Sequence, residues 1–370
     1  MKKLNVLVPS VLALFVASAA HAGATFDTPQ GKLMLGGDVE YNLDATHNNS
    51  DALVTDNQSA NGRILVDIEG ERALANGNYA AFKVNPTFDT NAVEGSGEDA
   101  WFGFGVKNDW GFKMGHYEAY DLSVAGQDTY TTGNEGYRAK LARGRASSGS
   151  QVMLSKEAGQ WHAEVSTLFG SDQAYTTSST ESANLLTGAI TTTTVGSYHN
   201  VSGAVQNKDP LIARPVIAWT GDTVTVAVGG EFNLVSDAYT QGVDGANLSD
   251  WSGYGATTTV KVNDDLSLNL RGAYLNDVAG SSYSVGPGAQ YQNFYVAYLY
   301  SKNTTDTDAA LGTTDSHTKM NEVYASYKIP GVMGLDNFDM YLGASYGTTK
   351  VDSADTVKDY GGRVRFKYFF

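Results

Sequence analysis

Within residues 117–147 the charges separate by sign: Glu118, Asp121, Asp128 and Glu135 come first, and Arg138, Lys140, Arg143 and Arg145 follow. No covalent reaction needs that pattern, but an electrostatic filter does. If the acidic part crosses a water-filled passage while the basic part lies on its wall with Arg63, Lys83 and Lys113, opposite charges face each other where screening is poor. They then decide which ions and dipoles enter. Each of these residues taken singly reads equally well as a solvated loop charge. A second chemistry sits in the same region. Trp101, Tyr117, Tyr120 and Tyr130 offer flat apolar faces on which the C–H side of a sugar ring stacks while its hydroxyls reach nearby charges.

Catalytic groupings are absent from the pattern. Beyond residue 22 the histidines are His47, His116, His162, His199 and His317. They fall on separate segments, with no serine elbow, metal-spaced pair or phosphate-cradling glycine loop beside them. The reading is therefore not an enzyme, with no cofactor and no metal. Asp306-Thr307-Asp308 and Asp352 to Asp355 are oxygen-rich, and solvated acidic loops explain them more simply than a divalent-cation site.

The elements that must position these groups are strands. In Tyr360 to Phe370, Tyr360, Gly362, Val364, Phe366, Tyr368 and Phe370 share one parity and Arg363, Arg365 and Lys367 the other, the period-two signature of a strand with one apolar and one charged face. The same alternation recurs in Leu33 to Leu43, Ile64 to Glu71, Ala80 to Asn85, Ala100 to Lys107 and Phe112 to His116. A polar connection is expected up to Ser59. Further strands are expected at Ser148–Glu157, Gln160–Phe169, Leu211–Thr220, Thr223–Leu234, Trp251–Val262, Leu266–Leu275, Gln290–Ser301, Thr318–Ile329, Phe338–Gly347 and Tyr360–Phe370. An all-β transmembrane antiparallel barrel with both ends on one side needs an even number, so a sixteenth strand belongs between Asn276 and Ala289, near Ser282 to Gly286; fourteen strands are the fallback. Long polar connections, including 170–209 with its Thr187 to Thr194 run, alternate with short turns.

Composition agrees with that class. The chain has 41 Gly, 22 Tyr and no Cys, and a formal net charge of −15 that disfavours nucleic acid as a partner. Mean hydropathy is negative, as in a barrel where only alternate strand residues meet lipid. Residues 1–22 read as a signal peptide: Met1-Lys2-Lys3, an apolar stretch from Leu4 to Ala19, and Ala20-His21-Ala22 as the cleavage site. That leaves 23–370 as a single exported domain.

Ala100-Trp101-Phe102-Gly103-Phe104-Gly105-Val106-Lys107-Asn108-Asp109-Trp110-Gly111-Phe112-Lys113-Met114-Gly115-His116-Tyr117-Glu118-Ala119-Tyr120-Asp121-Leu122 resembles the fourth and fifth strands of trimeric porins, the general diffusion and glycoporin-like carbohydrate channels of Gram-negative outer membranes. Gly62-Arg63-Ile64 to Gly70-Glu71 is similar to their second strand, and the aromatic end at Phe370 to their last. The resemblance implies a homotrimer whose third loop, here 117–147, folds inward as a constriction. It also implies contact with outer-membrane lipid and lipopolysaccharide, assembly-machinery recognition through Phe370, and passage of small hydrophilic solutes. Two departures stand out: the family's PEFGG loop signature is missing, and Gly115-His116 occupies the place of a charged arginine. Passive diffusion favouring sugars leads. An unselective or weakly cation-selective pore, a surface adhesin or β-rich lectin, and a barrel enzyme remain the other readings.

Overall fold

The computed structural model describes residues 23–50, 53–90, 95–117, 119–122, 150–169, 177–183, 190–196, 204–241, 247, 249–278, 280–306, 315–352 and 356–370. Sixteen strands build the wall: β1 (Gly31–Ser50), β2 (Leu53–Ala73), β3 (Asn78–Asp89), β4 (Gly95–Val106), β5 (Trp110–His116), β6 (Ser150–Ala158), β7 (Trp161–Phe169), β8 (Leu211–Thr220), β9 (Val224–Asn233), β10 (Trp251–Lys261), β11 (Leu266–Asp277), β12 (Gly280–Tyr291), β13 (Phe294–Thr305), β14 (Ser316–Ile329), β15 (Phe338–Val351) and β16 (Val357–Phe369). Each pairs antiparallel with the next, and β16 pairs with β1 from Asp38↔Phe369 to Asn49↔Lys358, so the sheet closes on itself. The short strand Ala24–Thr28 takes up the edge of β1 below the point where β16 ends, and Phe370 exchanges both backbone hydrogen bonds with Gly37 there.

Alternation decides which way each residue faces. On β1, Asp38, Glu40 and Asn42 are buried while Leu35, Tyr41 and Leu43 are exposed. On β4, Phe102 and Phe104 are exposed on the opposite parity to Trp101. The pattern is inside-out relative to a water-soluble protein: Leu, Val, Phe and Tyr clothe the outside and charge lines the interior. In water such a surface would be a continuous apolar patch, whereas in lipid it is the required one. Backbone pairing runs around the whole ring of wall strands, the condition for crossing hydrocarbon with strands. Val332–Gly334 is the one helical turn among the described residues.

Sixteen strands stand and the fallback of fourteen falls. The sequence reading errs in three places. The unassigned strand is β12, a full twelve residues rather than a short piece near Ser282, and Gln290 and Tyr291 belong to it, not to β13. Its inward residues Ser282, Ser284, Gly286 and Gly288 carry no bulk, so alternation is faint. Second, the polar segment from Asp44 to Ser59, expected as a connection, is strand: β1 and β2 continue as a ladder up to Ser50↔Leu53. Above the membrane both faces meet water, so apolar alternation stops while backbone pairing does not. β2 overshoots its other neighbour, its pairing with β3 beginning only at Arg63↔Asp89. Third, Ile190–Gly196, overlapping the threonine run and within the segment expected as loop, pairs with Thr177–Ala183 as a small separate sheet, in keeping with the β preference of β-branched residues.

Candidate functional site: the lumen wall and the segment that enters it

The chain leaves the wall just after Gly115, at the end of β5. That residue has φ 122°, and a Cβ there would strike the Ala100 carbonyl of β4. Glycine is therefore what this exit demands, which accounts for the absence of an arginine from the spot. From there the backbone turns into the barrel. Tyr117 is 1 % exposed, with Ala119 and Leu122 also buried. Gln151 Nε2 donates to the Tyr117 carbonyl at 3.0 Å, and the Tyr117 hydroxyl lies 2.9 Å from Ser166 Oγ. The Tyr120 amide donates to Glu164 Oε1 at 3.0 Å, its ring stacks on His162 with centroids 5.5 Å apart, and His162 itself bridges Glu157 and Glu164. Leu122 closes an apolar cluster with Val216, Ala218 and Ala227. All of these partners face inward on β6 to β9, so residues 117 and 119–122 run along the inner wall. Burial holds the phenols of Tyr117 and Tyr120 above their ordinary range, so both stay neutral hydrogen-bonding groups.

Beneath this segment lies a buried ion pair, Arg214 to Glu231 at 2.7 Å, both side chains 2 % exposed. Elsewhere the lumen is lined with further pairs between adjacent strands. Arg363 grips Asp44 with two bonds of 2.7 Å. Arg365 donates to Asn42 Oδ1 at 2.7 Å and reaches Glu40 at 3.0 Å, while Lys367 stands 3.7 Å from Glu40. Asn42 passes the network on to Asn61 at 2.9 Å. Lys83 bridges Glu69 at 2.8 Å and Asp67 at 3.2 Å, Arg63 lies 3.7 Å from Asp38, and Lys328 meets Asp339 at 2.7 Å. Arg271 bonds the Tyr324 hydroxyl on the wall of β11 to β14.

Of the residues expected to shape a constriction, Arg63, Lys83 and Lys113 all face the lumen. Lys113 Nζ sits 4.4 Å from the Trp101 ring centroid and 5.2 Å from that of Tyr117. Asp121 is exposed. Trp101 and Tyr120 are half-buried and inward, Trp101 against Lys113 and Tyr120 against His162. Tyr117 departs from its expected role as a stacking surface: with ring and hydroxyl both enclosed, it anchors the segment and offers no face to a solute. Glu118, Asp128, Tyr130, Glu135, Arg138, Lys140, Arg143 and Arg145 lie outside the described residues. The expectation missed the pairing itself. Arg363, Arg365 and Lys367 were visible as a period-two basic row, but Glu40 and Asp44 opposite them become partners only once β1 and β16 meet, a contact more than 300 residues apart in sequence.

A family model described as porin-like glycoporin RafY matches residues 35–370. The chain belongs to that family. The porin's architecture is shared with solved structures at low identity: OmpT of Vibrio cholerae (13 % identical, TM-score 0.57, covering 94 % of this chain and 100 % of that one) and an anion-selective porin of Comamonas acidovorans (13 %, TM-score 0.59, 91 % and 99 %). A Rhodobacter blastica porin variant aligns less closely (14 %, TM-score 0.51, 91 % and 100 %). No curated protein sequence matches. The porin is thus a multi-pass outer-membrane barrel, and its lumen is the site.

Proposed function

We propose that this porin passes small neutral hydrophiles and favours sugars and oligosaccharides over ions. One observation supports the preference: many charges of the described lumen wall are closed into pairs on neighbouring strands. A cation 2.7 to 3.7 Å from its counter-charge contributes a local dipole, not a long-range field, because the opposite fields cancel over a few ångströms. Such a wall discriminates weakly by ionic charge. It still offers donors and acceptors to hydroxyl groups, with Trp101 and Tyr120 beside them as stacking surfaces. The name of the family, a glycoporin, points the same way.

Residues 1–22 as a removed signal peptide rest on their own basic start, apolar stretch and cleavage site, and the remaining features of the proposal rest on the resemblance: residues 117–147 as the constriction, a homotrimer, and recognition of Phe370 during assembly. Reconstituted in a planar bilayer, the porin is expected to show ion current that sucrose or raffinose blocks in a concentration-dependent way, with a reversal potential close to zero in a salt gradient. Current without sugar block would favour the unselective pore. A strongly cationic reversal potential would favour the cation-selective one.

A further inference from the structure

Outside the barrel, at the long-loop end, four lysines stand together. Lys302 on β13 is the direct cross-strand partner of Lys319 on β14, and Lys319 of Lys350 on β15. Lys358 on β16 is opposite Thr348, one pleat below Lys350. All four carry the outward parity of their strands, set by Tyr300 on β13, Val323 on β14, Tyr346 on β15 and Tyr360 on β16, which are on the outer face. Lys319, Lys350 and Lys358 are exposed and Lys302 half-buried. Among the described residues, no hydrogen bond or ion pair ties any of the four to another residue. Among the described lysines only Lys32 shares that state; the rest are engaged, for example with Glu71, Asp109, Asp264 and Asp339. In a chain with 40 acidic and 25 basic residues, acids are plentiful, yet none among the described residues answers this row.

Like charges directly opposite on adjacent strands destabilise a sheet, so three in register form an arrangement that needs an outside anion. Position says which. One pleat beneath the row lie outward tyrosines: Tyr300 on β13, in ring contact with Tyr283 at 5.8 Å, and Tyr360 on β16. Tyrosines in this placement mark the boundary between hydrocarbon and headgroups, which puts the lysine ends about 7 Å farther out, in the headgroup layer of the outer leaflet. We infer that Lys302, Lys319, Lys350 and Lys358 form a docking surface for the phosphate groups of phosphorylated outer-leaflet lipid. The inference rests on the outer-membrane reading and names the residues that meet that leaflet. It predicts that lipid occupies this sector of the barrel perimeter preferentially.

The test uses folded, purified porin in zwitterionic detergent, titrated with a bis-phosphorylated glycolipid and with the same lipid stripped of phosphate, bound lipid being counted by native mass spectrometry. At roughly fivefold per surface lysine, K302Q/K319Q/K350Q should weaken binding of the phosphorylated lipid about a hundredfold and leave the dephosphorylated lipid unchanged. In the absence of anionic lipid, K319Q alone should raise the temperature of heat-modifiable unfolding, because a repulsion is removed; phosphorylated lipid should erase that gain. Equal binding of both lipids by the unaltered porin, undiminished binding by the triple variant, or inorganic phosphate displacing the lipid at millimolar level would each overturn the inference. Channel activity measured on the same sample keeps the two readings apart: loss of lipid preference with intact current refutes only the docking surface, whereas absence of current refutes the porin reading itself.

Discussion

Arg214 and Glu231 show what the inward segment requires of single residues. A buried pair with one member removed leaves an uncompensated charge, at a cost of about 3 to 5 kcal/mol. Arg214→Met should therefore lower the temperature of heat-modifiable unfolding sharply, while the double variant Arg214→Met with Glu231→Met should recover most of it; equal losses in both would mean that the pair is not coupled. Trp101 and Tyr120 matter through their faces. Under the sugar reading, replacing either by Ala should raise the sugar concentration needed for half-block and leave open-channel current unchanged or larger, because a stacking surface is lost and the lumen widens. Neutralising Asp121 with Asp128 should shift reversal potential away from cations if 117–147 narrows the pore. Changing Glu181 and Asp315 in outer connections supplies the comparison, and equal shifts in the two sets would place the acids outside the narrow path.

At the scale of the strand, facing is everything. Val66→Arg or Phe104→Arg puts charge on the lipid side, where it costs about 2 to 4 kcal/mol at mid-membrane depth, and should reduce the heat-modifiable folded fraction in outer-membrane preparations. Asp67→Ala and Trp101→Ala, on the other parity, should insert normally. Strand existence was legible wherever one face was lipid-bound, because lipid imposes a uniform rule on alternate residues. It failed where that rule lapses: in β12, whose inward face is Ser and Gly, and in the upper halves of β1 and β2, where nothing apolar is required. Within the site, the aromatic and basic candidates on β2 to β5 could be placed by parity alone. The pairing of Arg363 with Asp44 could not, since no local pattern encodes which strand closes the ring.

For the whole molecule, closure is the step that joins first strand to last. The inner face of that seam is charged on both sides: Asp44 and Glu40 on β1 against Arg363, Arg365 and Lys367 on β16. Asp44→Arg sets two guanidinium groups against each other and should lower the yield of folded barrel on dilution from urea. Adding Arg363→Asp, which restores opposite charges in reversed order, should recover it. Recovery absent in the double variant would show that the ion pairs are passengers of closure, formed after it is complete.

Barrels are usually described as sheets without ends, and over most of its circumference this one is. One exception is the stretch from Leu53 to Ser59, which among the described residues has a ladder partner on the β1 side alone. It forms a parapet standing above the top of β3. A bare strand margin invites pairing with any passing chain, yet this margin is Asp56-Asn57-Gln58-Ser59, exposed to water. The same polar run that hides the strand from a reader of the sequence hides it from other proteins.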